Sequence, residues 1–561
     1  MTLMAGRKAI MEIFQAEEVQ YIFGNPGTTE LGLLDIIQDY PKIQYILTLH
    51  EGVALGIAHM YASASGKTGV VNLHVAPGLG NAIGALYNAC VGKMPLLVTV
   101  GQQDTRMLVR EPILAHDLIG MAKPLTKWAV QLQHAEEIPV ILPRAFKVTQ
   151  DAPRGPVLVS LPSNVIEEEL DFQLPSPSSP FRRTRPDAQG ISAAADLLAK
   201  ANHPMIICGD GVAASQAQAE LVQMAELIGA QVWNSMFTGN LNFPTSHPQF
   251  RGNLPAEYRT IQMILGEADL ILAVGAKLFD EVFYAPGSPL SDGCRLIQVD
   301  NSSWEIGKNL TPTIGLLSDP KLALQELLNA VETKLDKTAE ARAEQHRREM
   351  VSQRQEEQLR QEKRVKGTWD RSPISTARLM ADLRDCLPED AVIYDEAITA
   401  GADLIRTILP DKPGSYFSNH GGGIGQGLPG AIGVKLAKPD QPVVAFVGDG
   451  SAMYTIQSFW TAVHHDIAVI YIIINNQSYR VLKYNMNRYR RLQNIAPKEQ
   501  PHPHMDLTDP PLDFVEIARG MGLAGRCITQ PEEIQPAMKE ALALDRPYVL
   551  EVRTEGRVAE Q

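Results

Sequence analysis

Val443–Tyr479 reads VVAFVGDGSAMYTIQSFWTAVHHDIAVIYIIINNQSY. An apolar run, Val443 to Val447, breaks at Gly448-Asp449-Gly450-Ser451, and a segment able to form a helix follows. A second run rich in β-branched residues, Ile467 to Ile474, stops at Asn475-Asn476. Strand, turn, helix and parallel strand in this order form the unit in which ligands sit beyond the carboxyl ends of the strands. Asp449 and Asn476 are 27 residues apart, so one crossover brings them to the same edge of a sheet. A carboxylate and an amide carbonyl are oxygen ligands, suited to a hard cation such as Mg2+ that keeps positions for phosphate and water. Glycines on both sides of Asp449 let a bulky anion approach the main chain. Singly, Gly-Asp-Gly is a common tight turn and Asn-Asn a common strand exit; at this spacing they mark a metal-diphosphate site.

The 561 residues are too many for one core and suggest about three domains. Hydrophobic content of 45% and charged content of 20% are those of an ordinary globular chain. A net charge of −13 argues against a nucleic-acid partner, which needs a basic surface. The five cysteines, Cys90, Cys208, Cys294, Cys386 and Cys527, have no CxxC spacing, so neither a disulfide framework nor a zinc site is indicated. The first residues carry no signal-peptide pattern, and no apolar run approaches the roughly 20 residues that span a bilayer. The expectation is a cytoplasmic protein without a membrane partner.

Working outward, helical and strand-like patterns alternate. Arg7 to Glu18 and Thr29 to Gln38 read as helices. Tyr21 to Phe23, Tyr45 to Leu49, Val70 to Leu73, Leu96 to Val100 and Val157 to Leu161 read as strands. The Pro/Ser-rich stretch between Leu174 and Asp187 has linker composition. A second alternation follows, with strands at Pro204 to Cys208, Ala230 to Trp233, Leu270 to Val274 and Leu296 to Val299. Its GDGVAAS turn lacks the GxGxxG arrangement of dinucleotide folds. From Leu335 to Lys366 charge is dense, with Glu and Arg or Lys at i, i+4 spacing, the mark of a solvated connecting helix. The α/β pattern returns after Ser372. The expected organisation is α/β with three parallel-sheet domains, at 1–173, 190–335 and 372–561, and a charged helical linker at 336–371.

Three clusters stand at the ends of expected strands in the first domain. Gly24-Asn25-Pro26-Gly27-Thr28-Thr29-Glu30 is a tight turn before a helix, with Thr28 or Thr29 able to cap it and Glu30 in its first turn. His50-Glu51 follows YILTL, where a glutamate is a candidate catalytic acid or an ordinary helix start. His74 enters the Gly-rich stretch Ala76 to Ala82, as a proton carrier or a structural histidine.

GDGS followed at this distance by NN resembles the signature of the thiamine diphosphate (ThDP) enzymes. FGNPGTTEL, YILTLHEGVALGIAHMYA, NLHVAPGLGNAIGALYNA, PLLVTVGQQ and PGSYFSNHGGGIGQGLPGAIGV extend the resemblance, in order, over nearly the whole chain. It is to the ThDP-dependent 2-oxo acid decarboxylases and acetolactate synthases, and most closely to the benzoylformate decarboxylase branch. The resemblance implies pyrimidine-binding, central and diphosphate-binding domains. It also implies a homodimer or homotetramer whose active sites lie between subunits. Asp449, Asn476 and the main-chain oxygen of Ser478 would hold Mg2+. Thr399 and Ser451 would touch the diphosphate, with Gly450 and Tyr479 in the same cofactor-binding set. Gly422 would accept from the exocyclic amine, and Ile424 would be the apolar prop beneath the cofactor. Glu51 would hydrogen-bond the aminopyrimidine ring nitrogen. Thr28 and His74 would bind the substrate carboxylate and transfer protons.

The sequence departs from that branch in two places. Val282 occupies the position of a second active-site histidine, with His420 and His116 as candidate replacements. After Asn476-Gln477-Ser478-Tyr479 come Tyr484 and Asn485, with an Asn where an aromatic residue is expected, and then Arg488, Arg490 and Arg491. A guanidinium suits a second carboxylate, as in 2-oxoglutarate, although a solvated basic loop reads equally well. The leading expectation is a non-oxidative decarboxylase of an aliphatic or dicarboxylic 2-oxo acid, without FAD. The alternatives are an acetolactate-synthase-like carboligase and a non-catalytic relative that keeps the fold. The proline-rich segment at 499–511 reads as a lid or a plain loop.

Overall fold

Runs of β-branched and aromatic residues become parallel strands buried on both faces, as helix-covered sheets require. The computed structural model describes residues 2–175, 181–279, 282–496 and 499–559. Thus 176–180 of the expected linker and Asp280 and Glu281 beside Val282 lie outside the described residues.

A short antiparallel pair, β1 (Thr2–Ala5) and β8 (Glu169–Phe172), brackets the first sheet. That sheet contains β2 (Tyr21–Gly24), β3 (Gln44–Leu47), β4 (Gly69–Leu73), β5 (Leu96–Gln102), β6 (Trp128–Gln131) and β7 (Val157–Pro162) in the order β3-β2-β4-β5-β7-β6. The chain reverses its direction of winding between β2 and β4, so the turns after these strands share a crevice. The second sheet, β9 (Pro204–Cys208), β10 (Gln231–Asn234), β11 (Phe250–Asn253), β12 (Leu270–Val274), β13 (Arg295–Asp300) and β14 (Ile314–Leu317), has the order β11-β10-β9-β12-β13-β14. β15 (Val392–Glu396) and the short β16 (Tyr416–Ser418) precede β17 (Val443–Gly448), β18 (Val469–Asn475), β19 (Ala524–Ile528) and β20 (Tyr548–Arg553). In the third sheet β15, β17, β18, β20 and β19 follow one another, all parallel.

The fold is therefore α/β with parallel sheets, as the sequence implies. The edge strands β6 and β19 escape a reading of apolar runs because they are only partly buried. The expected helix Thr29 to Gln38 is broken into a 3-10 turn, Thr28–Glu30, a helix, Leu31–Ile36, and a second 3-10 turn, Ile37–Asp39. The charged stretch forms one helix, Lys337–Gly367, N-capped by Asp336, with only Ala339, Ala343 and Met350 buried. Its surface ion pairs contribute little each, roughly 0–1 kcal/mol.

The chain divides into two compact units: residues 1–180, 370–402 and 419–561 form one, and residues 181–369 and 403–418 the other. In the first unit, the helix Glu51–Ser65, buried from Glu51 to Ala62, packs on the helix Gly427–Ala437. The crossing is close: a Cβ on Gly433 would lie 2.2 Å from the Ile57 carbonyl oxygen, and one on Gly56 2.8 Å from Pro429. Gly433→Ala should therefore destabilise the protein by about 2 kcal/mol or more. Gly367→Ala, facing open space at a helix end, should stay within about 0.5 kcal/mol. Urea unfolding of both variants against wild type checks the contrast.

Candidate active site

The register Gly448↔Ile474 places the turn after β17 beside the end of β18. Asp449 opens the short helix Asp449–Ala452 and is only 3% exposed. Its Oδ1 accepts from Gly450 N–H at 2.8 Å and its Oδ2 from Ser478 N–H at 3.3 Å. Burial pushes the Asp449 carboxyl up, opposed by main-chain N–H groups of Gly450, Ser478, Gln477 and Asn476. Nearby, Asn476 Oδ1 and Ser478 Oγ are buried without a hydrogen-bond partner. Orphaned buried acceptors are costly unless something meets them. A bare amide oxygen beside a buried carboxylate fits a hard cation with its anionic ligand, so these residues suit Mg2+ on a diphosphate. Among the described residues no group of three or more His, Cys, Asp or Glu side chains gathers as a metal cluster; this oxygen set, completed by main chain, is of another kind. Gly450 is required locally, because a Cβ there would lie 2.5 Å from the Tyr479 ring. Ser451 is buried in the same short helix. Gln477 takes φ +54°, a left-handed conformation unusual for a residue with a side chain.

The crevice between β2 and β4 holds a second polar cluster. Thr29 Oγ1 donates to Glu30 Oε1 at 2.6 Å, and Glu30 Oε2 lies 3.0 Å from His74 Nδ1. Glu30 is 2% exposed, and burial raises its carboxyl despite Thr29 and His74. Gly27 and Gly101 make the room: a Cβ on the first would strike the His74 ring and one on the second the Glu30 carboxylate. With Nδ1 tied to Glu30, Nε2 is the nitrogen of His74 left for a ligand. Val75, the next residue, has φ +41°, which is strained for a β-branched side chain. Thr28 is exposed one residue away, and it is the Thr29 hydroxyl that approaches His74 Nδ1, at 3.4 Å.

Glu51 begins its helix behind the N-cap His50, whose Nδ1 accepts from Gly52 N–H at 3.0 Å. Its carboxylate is 7% exposed; Asn81 Nδ2 donates to Oε2 at 3.0 Å, and Oε1 faces Gly78, where a Cβ would come within 3.1 Å. One oxygen is fixed and the other is left room.

The loop before the helix Gly427–Ala437 carries Gly422, exposed at φ +82°, and Ile424, half-buried. Glu396, at the end of β15, anchors it by accepting from Gly425, Gln426 and Gly427 N–H at 3.0, 2.9 and 2.7 Å. Burial pushes Glu396 up to about 7 against those donors. Thr399 is half-buried in the turn just beyond.

The remaining candidates are scattered. Tyr484 (exposed), Asn485 and Arg488 (both half-buried) ride on the helix Arg480–Gln493, where the Arg480 guanidinium sits 5.7 Å over the Tyr484 ring. Lys483 ties this helix to Asp506 at 2.5 Å. The 499–511 segment also bonds to the Asn476–Tyr479 turn, through Tyr479 N–H to the Met505 carbonyl and Leu507 N–H to the Gln477 carbonyl, both 2.8 Å. His116 is exposed, and Val282, in the second unit, is exposed. His420 is 2% exposed and faces inward, with Nδ1 3.1 Å from His59 Nε2. The sequence pattern gave no sign of Asn81, Glu396 or His59; it offered Thr29 as a cap, where the turn instead starts from Gly27 without a side-chain cap, and Glu30 as a helix-start acid. Only the residue order TTE, next to an expected strand end, hinted at Glu30.

Three family profiles match the chain: the thiamine pyrophosphate enzyme N-terminal TPP binding domain at residues 4–121, the central domain at 191–327, and the C-terminal TPP binding domain at 401–552. Benzoylformate decarboxylase of Pseudomonas aeruginosa is 33% identical over 560 residues, 98% of each chain. A probable acetolactate synthase large subunit of Methanocaldococcus jannaschii is 29% identical over 98% of this chain and 92% of its own. Among solved structures, a Rhodococcus jostii RHA1 thiamine diphosphate-dependent 4-hydroxybenzoylformate decarboxylase superposes with a TM-score of 0.85 at 30% identity, covering 99% of this chain and all of the other. The chain belongs to the thiamine pyrophosphate enzyme family. Within it, this is a ThDP-dependent enzyme similar to the benzoylformate decarboxylases, which are carboxy-lyases acting on 2-oxo acids. Among the described residues no helix is long and apolar enough to cross a membrane.

Glu396 gives a pH signature. A carboxyl raised from 4.5 to about 7 takes up a proton on folding, so its contribution is most favourable below 4.5 and is lost as pH rises through 7. The stability advantage of wild type over Glu396→Gln should shrink between pH 5 and pH 8, by up to about 3 kcal/mol. Denaturant melts of both proteins across that range measure it.

Proposed function

We propose that the protein decarboxylates a 2-oxo acid, without oxidation, to an aldehyde and carbon dioxide, using ThDP and Mg2+. The observation that carries this reading is the coexistence of two halves on one chain. One is Glu51, buried with a single oxygen fixed by Asn81; the other is Asp449 with the unpartnered Asn476 Oδ1.

Asp449, Asn476 and the Ser478 carbonyl hold Mg2+, and Ser451, Thr399 and the Gly450 main chain receive the diphosphate beside Tyr479. Gly422 and Ile424 support the cofactor, the first through its carbonyl and the second as an apolar prop. When bound, ThDP supplies a carbon nucleophile for the 2-oxo carbon and an electron sink for the departing carboxylate. Glu51 would hydrogen-bond the aminopyrimidine ring nitrogen and hold or release a proton there. His74, oriented through Nδ1 by Glu30, offers Nε2 to the substrate carboxylate and then a proton to the product carbon, with Thr28 at the same pocket. A dry pocket favours the loss of charge as carbon dioxide leaves. Two copies complete each other's sites in a homodimer or homotetramer, by the likeness to the family.

The substrate reading is an aliphatic or dicarboxylic 2-oxo acid such as 2-oxoglutarate. It is supported by the basic helix Arg480–Gln493, which leads directly from the metal turn and carries Arg488 half-buried. The acetolactate synthases among the relatives keep carboligation as a second reading; product analysis separates a hydroxyketo acid from an aldehyde.

Glu51→Gln should lower kcat by roughly 10²–10⁴, and Asp449→Asn should weaken the Mg2+ and ThDP requirement curves at least about tenfold. Carbon dioxide release from aromatic, branched and dicarboxylic 2-oxo acids tests the reaction; release from none of them would overturn it. On a dicarboxylate, Arg488→Ala should raise KM about 10-fold to 100-fold, the cost of losing a charged hydrogen bond. An unchanged KM removes the dicarboxylate reading and leaves decarboxylation standing.

A further inference from the structure

Three of the five residues from Gly421 to Gly425 take positive φ, Gly421 at +81°, Gly422 at +82° and Gly425 at +97°. Such a backbone has no intrinsic shape and must be held from outside. The Asn88 amide holds Gly423 the way a neighbouring strand would: Nδ2 donates to the Gly423 carbonyl at 2.8 Å, and Oδ1 accepts from Gly423 N–H at 3.1 Å. A Cβ on Gly421 or Gly423 would lie 2.8 Å from Asn88 Oδ1, so glycine at both positions admits the clamp.

His59 grips the loop a second time. It is fully buried, with Nδ1 2.6 Å from Gln426 Nε2 and Nε2 3.1 Å from His420 Nδ1, and its ring is stacked on that of His420 at 5.0 Å. One donor order satisfies both contacts: Gln426 N–H to His59 Nδ1, then His59 Nε2–H to His420 Nδ1. Both rings are then neutral, and burial and the neighbouring His420 hold the His59 imidazole well below its ordinary range. A buried imidazole tied at both nitrogens has no route to substrate, so its role is placement.

The helices Glu51–Ser65, which holds His59, and Val75–Val91, which holds Asn88, also carry the Glu51 frame. His59 lies two turns along the helix that Glu51 begins. Asn88 lies seven residues after Asn81, the Glu51 partner, and so on the same helical face. We propose that His59, Asn88 and Gln426 are positioning residues, fixing the 419–427 loop so that Gly422 and Ile424 meet the cofactor. This rests on the ThDP reading above.

Isothermal titration of the cofactor-free full chain with ThDP and Mg2+ tests it directly. His59→Phe, Asn88→Leu and Gln426→Met should each weaken ThDP binding about tenfold, the cost of one lost buried hydrogen bond. His59→Gln, which can keep one contact, should recover most of the affinity. In the loaded enzymes kcat should fall while substrate KM holds. Should His59→Phe fail to fold, Asn88→Leu and Gln426→Met decide. Variants that unfold more easily but bind ThDP within twofold of wild type overturn the proposal, because the residues are then merely structural. Asp449→Asn separates the two layers: weakened binding there with intact binding in the clamp variants overturns the clamp alone, and unchanged binding in Asp449→Asn overturns the cofactor reading with it.

Discussion

Two helices in the first unit meet almost backbone to backbone. Gly433 lets the helix Gly427–Ala437 reach the Ile57 carbonyl, and Gly56 admits Pro429. A side chain at either position would force the two helices to shift or repack. The helix Glu51–Ser65 starts with the buried carboxylate, and the partner helix starts immediately after the glycine-rich loop. The crossing therefore sets where the loop stands relative to Glu51. Asn88 and His59 bond to that same loop, at Gly423 and Gln426.

The elements legible in the sequence are those fixed by local pattern. The β-branched run Ile470 to Ile474 and the apolar Val443 to Val447 could only be buried strands, and a single crossover between them had to leave Asp449 and Asn476 adjacent. Glu51 was singled out by the resemblance of its motif and not by pattern, and it opens a helix a few residues beyond β3. Contacts across long sequence separations were not legible: Glu30 with His74 spans 44 residues, and Asn88 with Gly423 spans 335. No periodicity encodes such partners. The choice between Thr28 and Thr29 shows the limit at its finest. An extended Gly27, at φ −147° and ψ 171°, followed by a 3-10 turn leaves Thr28 exposed and buries Thr29. A linear motif does not resolve a rotation of one residue.

Buried carboxylates concentrate around this region, and each is held differently. Glu30 has an imidazole and a hydroxyl, Glu396 has three main-chain N–H groups, and Asp449 has the N–H groups of two converging turns. Burial raises all three. Folding alone would favour apolar residues at such positions. These carboxylates and the left-handed Val75 and Gln477 place unfavourable local energy at the ends of β4, β15, β17 and β18.

The residues proposed for the cofactor and those proposed for the substrate differ in what carries them. Asp449, Ser451 and Asn476 follow the ends of β17 and β18, where the register of a parallel sheet leaves little freedom in placement, and Glu51 opens a buried helix. Tyr484, Asn485 and Arg488 sit on an amphipathic helix beyond the sheet, tethered through Lys483 to Asp506 and free to present different side chains without disturbing the core. A helix of that kind tolerates substitution, whereas the strand ends stay fixed by packing. The tether matters because the 499–511 segment also bonds to the Asn476–Tyr479 turn. Movement of the segment would be felt at that turn through main-chain hydrogen bonds and at the arginine-bearing helix through the Lys483–Asp506 pair.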